Sequence, residues 1–417
     1  MKCGKLKNDW KYILHPHQCL QTLTVMIIVK AGSIYESKKE KNSGISHYLE
    51  HMLFQGTQGK LTNSKDITST IYQNGGMINA STSYDYTTYY VKINAEHLEV
   101  ALSVLSNMFF NSRFSQIDLE KEKKIVIQEN RKHDSQPLRI LHRLNYENVF
   151  HNTSLERDIG GDEGDIRGFN RKQVLEYMQE HYCHAVVSLY GKIPGTEKNV
   201  IKLLQKYFGK KMNYLKSTKN KKYKADELKK QLVVGGKVKL LEKKLQESYL
   251  ALSLPVCNVF QCEEKIACDL LGIILAGNMS SRLFIKLREK NQYCYSVNYG
   301  LNHYVIGGDL TIRCGTQKKY IKMVTESIIE ELIDLEKNGV TKKELKEAID
   351  FKVGEMVLES EDTQGMAFHL GYQYLILDKC YDLNKNIKEY KKMNVSKMNK
   401  FLKKIIDIAK INLAILY

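Results

Sequence analysis

The residues 47-HYLEH-51 place two histidines four positions apart, with a glutamate beside the second. On a helix advancing about 100° per residue, His47 and His51 lie about 40° apart and Glu50 falls about 60° to the other side of His47. All three side chains therefore share one face. Two imidazoles so arranged can clamp a zinc ion, and the neighbouring carboxylate can take a proton from water activated there. The order is the inverse of the H-E-x-x-H zinc motif. Chance has to be weighed against this chemistry. With 12 His and 30 Glu in 417 residues, an H-x-x-E-H is expected in roughly two of a hundred such chains.

The elements that must position these residues can be read around them. Residues 43–55 read as a helix, with Ser43 as its cap, apolar positions at Ile45, Tyr48, Leu49, Met52 and Leu53, and Gly56 ending it. Residues 115–134 read as another, with Ser115 near its start and Pro137 just beyond its end. That second helix carries Glu122 and Glu129, two turns apart on one face. A zinc site needs a third ligand, and either carboxylate could serve; both could equally be surface groups among lysines. The stretch "NGGMINASTSYDYTTYYVKIN" reads as two alternating strands, and the helical "AEHLEVALSVLSNMFFN" follows it. In the second half "YCYSVNYGLNHYVIGGDLTIRCG" reads as paired strands before the helical "KKYIKMVTESIIEELIDLEKNG". The recurring strand–strand–helix order suggests a duplicated α/β unit.

A chain of 417 residues with 43% hydrophobic content and 4 prolines is a folded protein of two domains. The lysine-rich segment marks the boundary, giving a domain over 1–212, a linker over 213–235 and a domain over 236–417. No run approaches the roughly 20 apolar residues that cross a bilayer, and "LTVMIIVKAG" suits a buried strand. The start "MKCGKLKNDWKYILHPHQ" has neither an apolar signal core nor an Arg/Ser-rich presequence, so a cytoplasmic location is expected. Nine cysteines without regular spacing suggest reduced thiols, mostly small buried hydrophobes. Cys257, Cys262 and Cys268 cluster, but their gaps match no zinc-ribbon spacing. The net charge of +17 could attract nucleic acid, anionic lipid or acidic peptides. No nucleic-acid-binding motif accompanies it.

With these residues in view, the chain resembles the pitrilysin family of inverzincin zinc metallopeptidases, which includes mitochondrial processing peptidase, and is most similar to its short two-domain bacterial type. "HMLFQGT" resembles the family's "HMxFKGT", and "GGMINASTSYDYTTYY" its "GGxxNAxTxxxxTxYY" strand. "SSRLFIKLREKNQYCYSV" resembles "SRLFxxLREKxGLxYSV", and "EKEKKIVIQE" the helix "ExExxxVxxE" that bears the third ligand. The spacing to that helix is a residue or so longer than usual. The family usually has Gly-Leu where this chain has Gln292 and Tyr293.

The resemblance implies an α+β fold of two homologous α/β domains, pitrilysin-like (the LuxS/MPP-like metallopeptidase kind), each a mainly antiparallel sheet packed with helices. It implies one zinc ion per chain on His47, His51 and Glu129, Glu50 as general base, and Glu122 as a supporting carboxylate. Asn79, Ala80, Ser81 and Thr82 would pair with an extended peptide, and Arg288 and Tyr295 would hold the substrate carbonyl and steady its developing oxyanion. The expected activity is zinc-dependent endopeptidase action on short or unfolded peptides, in leader removal or peptide degradation. A catalytically silent subunit or peptide-binding partner is the alternative. Long members carry four such domains in one chain, with the Arg–Tyr pair facing the zinc from the last. A two-domain chain bearing both motifs therefore implies a homodimer with sites completed in trans, or a heterodimer with a related chain.

Overall fold

The computed structural model describes residues 1–212, 235–380 and 382–417, and divides into two compact units. The first comprises Met1–Glu129, the stretch from Asp158 to residue 212, and Val357–Asp382 without residue 381. Its sheet holds β1 (Lys2–Lys5), β2 (Lys11–Pro16), β3 (Thr22–Val29), β4 (Met77–Thr82), β5 (Thr87–Asn94) and β6 (Ala185–Gly191), in the order β1-β2-β6-β3-β5-β4. Only β2 and β6 run parallel among these pairs. The expected strand in "LTVMIIVKAG" is β3, buried along almost its whole length. Such a continuous apolar run fits a strand covered on both faces.

One covering element is the helix Thr363–Leu377, which packs on β2, β3 and β6. A β carbon at Gly371 would come within 2.7 Å of Ile28 and 3.0 Å of Ser188, so glycine lets the helix sit close to the sheet. Thr363 and Thr24 join their hydroxyls at 2.9 Å in the buried seam. On the other face lie α1 (Ile45–Met52), α2 (Ser64–Tyr72), α3 (Leu98–Phe110) and α4 (Gln116–His133), whose apolar residues form one core with the sheet.

The second unit comprises 130–157, residues 235–356 and Leu383–Tyr417 of the described chain. Its sheet holds β7 (Val238–Leu241), β8 (Ser248–Val256), β9 (Cys294–His303), β10 (Gly308–Thr316) and β11 (Asn412–Leu416), in the order β7-β11-β8-β10-β9. Among these described pairs only β7–β11 is parallel. Helix α5 (Pro137–Val149) buries Ile140 and Leu141 against Ala251, Ala414 and Leu416. The helices Cys262–Ala276 and Ile321–Asn338 contribute to this unit's larger core. The strand–strand–helix repeat is present as β4-β5-α3 and as β9-β10 followed by Ile321–Asn338.

Three expectations need correction. The compact units do not follow the linear division at 1–212 and 236–417, because residues 130–157 pack with the second unit and Val357–Asp382 with the first. Each exchanged segment carries a helix whose apolar face fits the sheet of that unit, which chain position cannot reveal. The expected linker, apart from residue 235, lies outside the described residues. Not every cysteine is a free thiol, since Cys3 and Cys380 form a disulfide across almost the full length of the sequence. Finally, Ser43 is not the cap of α1. Gly44 holds that position at φ 88°, and a β carbon there would press on Gly160 at 2.7 Å. The buried carboxylate of Glu36 accepts the Gly44 and Ser46 N–H groups at 2.8 and 3.0 Å, taking the place of a local cap.

Candidate metal centre

Helix α1 presents His47, Glu50 and His51 from its outer turns, while Tyr48, Leu49 and Met52 point into the core. The alternation of roles along five residues follows from helical geometry. Tyr48 also donates its hydroxyl to the Leu119 carbonyl at 2.7 Å, which ties α1 to α4 about one turn before Glu122. Helix α4 begins with Ser115 accepting the Asp118 N–H at 3.1 Å, as a cap should.

This arrangement brings the histidines and Glu129 together. Oε2 of Glu129 stands 3.6 Å from His47 Nε2 and 3.4 Å from His51 Nε2, and the two imidazole centroids are 4.7 Å apart. Zinc–nitrogen and zinc–oxygen bonds of about 2.0–2.2 Å at tetrahedral angles put such donors about 3.4 Å from one another. The donor set thus fits zinc in both chemistry and spacing. Three protein ligands of this kind leave one tetrahedral position open, unlike a structural site closed by a fourth side chain.

Glu122 lies behind this set, almost fully buried, with Oε2 3.3 Å from His51 Nδ1. A proton on Nδ1 directed at that carboxylate leaves Nε2 as the lone pair facing Glu129. Burial works against a charged His51, but the bond to Glu122 and the charges of Glu50 and Glu129 outweigh it and raise its pKa. Three carboxylates converging on two imidazoles make a pocket suited to extra positive charge.

Glu50 is held differently. Its Oε2 accepts the Thr82 hydroxyl at 2.5 Å and lies 3.8 Å from His47 Nδ1. Burial pushes the Glu50 carboxyl above its ordinary range, while the Thr82 bond pulls it down. The Thr82 link was not legible in the motif, because the two residues lie on different elements. Thr82 ends β4, whose neighbour among the described strands is β5 alone, so β4 is an edge strand of the described sheet. Along it, Asn79 accepts the Ala80 N–H with its own side chain, and the Ser81 and Thr88 hydroxyls bond at 2.8 Å.

Within the second unit, Arg288 belongs to the π-helical segment Phe284–Lys290 and Tyr295 to β9. The Arg288 guanidinium lies 5.4 Å from the Tyr295 ring centre and 5.0 Å from that of Phe284. Tyr295 is 76% exposed, unusual for a large aromatic residue on a strand. Between them Gln292 has φ 55°, the left-handed region that favours glycine. The turn is therefore kept although the residue departs from the family's Gly.

The chain belongs to peptidase family M16. Residues 12–163 match the family model described as "Insulinase (Peptidase family M16)", and residues 168–351 match "Peptidase M16 inactive domain". The chain is 32% identical over 395 residues to the "Uncharacterized zinc protease YmxG" of Bacillus subtilis, covering 94% of this chain and 92% of that protein. It is 30% identical over 194 residues to mitochondrial-processing peptidase subunit beta of Bos taurus, covering 46% and 39% of the two chains. Among solved structures, a protease from Helicobacter pylori is similar with a TM-score of 0.89 at 19% identity, over 100% of this chain and 98% of that one. The last likeness concerns the fold.

Proposed function

We propose that the protein is a zinc-dependent endopeptidase that cleaves short or unfolded peptides. The observation that carries this reading is the convergence of His47, His51 and Glu129, with Glu50 alongside. The names of the bacterial relatives, given as zinc proteases, support it. Bound by this set, zinc would supply Lewis acidity toward a peptide carbonyl and toward water.

Glu50 takes the proton of the attacking water and returns it to the leaving amine. The Thr82 hydroxyl fixes the Glu50 carboxylate and keeps one of its oxygens occupied, so the other is left for that proton. Glu122 orients His51 through Nδ1. The edge of β4 over Asn79, Ala80, Ser81 and Thr82 receives the extended substrate through main-chain hydrogen bonds, which tolerate many side chains. Arg288 and Tyr295 hold the substrate carbonyl and stabilise its developing charge. The exposure of Tyr295 agrees with such a role. The working enzyme is a homodimer, in which the partner supplies that pair; the name of the Bos taurus relative, a subunit, agrees with a multi-chain assembly.

Two outcomes test this reading directly. Unstructured peptides of varied sequence should be cut in a zinc-dependent manner, and a stable globular protein at low temperature should be spared. Equal cleavage of both substrates, or no cleavage by the zinc-loaded protein, would count against it; the second result would make the chain a silent subunit. Glu129→Gln should weaken zinc binding more than about 100-fold, because a direct ligand loses its charge. Glu122→Gln should cost about 10–100-fold, as expected for an orienting partner. A metal titration that ranks them the other way would place the ligand at Glu122.

A further inference from the structure

The second unit holds another convergence of donors, which the peptidase reading does not use. Cys257 follows β8 directly, Cys268 sits on the helix Cys262–Ala276, and His303 is the last residue of β9. Strand β10 runs between β8 and β9, and its Gly308 lies opposite both Val256 and His303. A β carbon at Gly308 would come within 2.2 Å of the Asn302 carbonyl oxygen and 2.8 Å of the Cys257 carbonyl oxygen. The missing side chain is what lets Cys257 and His303 meet across the end of β10. His303 Nδ1 lies 2.7 Å from the Cys257 carbonyl oxygen and 3.6 Å from the Cys257 sulfur. Both sulfurs, Cys257 and Cys268, and one imidazole nitrogen lie within 4.8 Å of one another.

The spacing suits a metal. Zinc–sulfur bonds of about 2.3 Å and zinc–nitrogen bonds of about 2.05 Å at tetrahedral angles separate sulfur from nitrogen by about 3.6 Å. Donor atoms that lie within 4.8 Å of one another are near that separation. A second observation points the same way. His303 Nε2 is buried without a hydrogen-bonding partner among the described residues, while Nδ1 bonds the Cys257 carbonyl. Buried polar atoms left in this condition are uncommon and mark places where an ion or water belongs. His303 also lines a cavity of about 390 Å³ together with Asp269, Tyr299 and Tyr390.

We propose that Cys257, Cys268 and His303 form a second metal site, specific for a thiophilic ion of the zinc class. Two thiolates and an imidazole favour zinc over magnesium or calcium, which prefer oxygen donors. On loading, both thiols lose their protons to solvent and the ion takes the Nε2 lone pair, while the Nδ1 proton stays directed at the Cys257 carbonyl. The site differs from the His47, His51 and Glu129 set in containing sulfur. That difference makes the two separable in one experiment.

The test uses the full chain, reduced and loaded first with Zn²⁺ and then with Co²⁺. A thiolate-to-cobalt charge-transfer band in the near ultraviolet can come only from a sulfur-containing site. The wild type should bind about two zinc ions per chain and show the band with cobalt. Cys257→Ser should lose one equivalent and most of the band. His303→Ala should keep a weaker band and bind more than about 100-fold less tightly, beyond the cost of losing a mere orienting partner. Cys262→Ser, at an exposed residue outside the cluster, should change nothing. A His47→Ala, His51→Ala variant should keep the band, so failure of the peptidase reading would leave this result intact. One zinc ion per chain in the wild type without a thiolate band overturns the proposal, as does a band that survives Cys257→Ser. Should Cys268→Ser fold poorly because Cys268 is buried, the half-buried Cys257 and the wild-type stoichiometry still decide the matter.

Discussion

Glu50→Gln is expected to lower peptide turnover about 10²–10⁴-fold while leaving the zinc held by His47, His51 and Glu129 in place. The substitution keeps the size of the side chain, and an amide oxygen can still accept the Thr82 hydroxyl that now binds Oε2. What it removes is the capacity to take up a proton. His47→Ala or His51→Ala should instead lose both activity and this equivalent of zinc, because two remaining donors hold the ion poorly. The core should survive these changes, since the residues buried under the motif are Tyr48, Leu49 and Met52. Zinc content and turnover measured on the same preparations check the assignment. Near-normal turnover in Glu50→Gln, or loss of its zinc, would falsify the division of roles.

Subunit mixing is expected to restore activity between two nearly inactive variants. One carries Glu50→Gln and the other Arg288→Ala with Tyr295→Phe. The first lacks its proton carrier. The second lacks the pair that steadies the oxyanion, a loss worth about 10²–10³-fold for a single donor of this kind. If each zinc site borrows its pair from the partner, a mixed dimer combines one intact zinc set with one intact pair. Random exchange would then make about a quarter of all sites active, because half the dimers are mixed and one site in each is complete. Tagged subunits purified as verified mixed dimers should show about half the wild-type activity per dimer. Mixed dimers as inactive as their parents would mean that the site is built within one chain.

Much of the first unit was legible in the residues. The spacing of HYLEH put three polar groups on one face because a helix repeats every 3.6 residues, and α1 presents them so. The strands β4 and β5 and the helices α3 and α4 were marked by apolar period and by turn residues, both of which are local signals. The resemblance to the pitrilysin family, carried by four short stretches, anticipated a family membership that the matches over 12–163 and 168–351 show.

What the sequence alone determined, then, was the list of chemical groups and the local elements that carry them, since helical and strand periodicity are properties of neighbours. Tertiary structure decided which distant groups meet. It set Glu36 at the start of α1 in place of Ser43, because a buried carboxylate can satisfy two helix N–H groups from outside the helix. It brought Glu129, already implied by the family resemblance, within reach of both imidazoles, with Tyr48 tying α1 to α4. It joined Thr82 to Glu50 and gathered Cys257, Cys268 and His303, which no spacing rule connects. It also sent α5 and the helix Thr363–Leu377 to sheets other than those their chain positions suggest. In each case the outcome depended on which surfaces close-pack, and packing is a property of the whole chain rather than of any stretch of it.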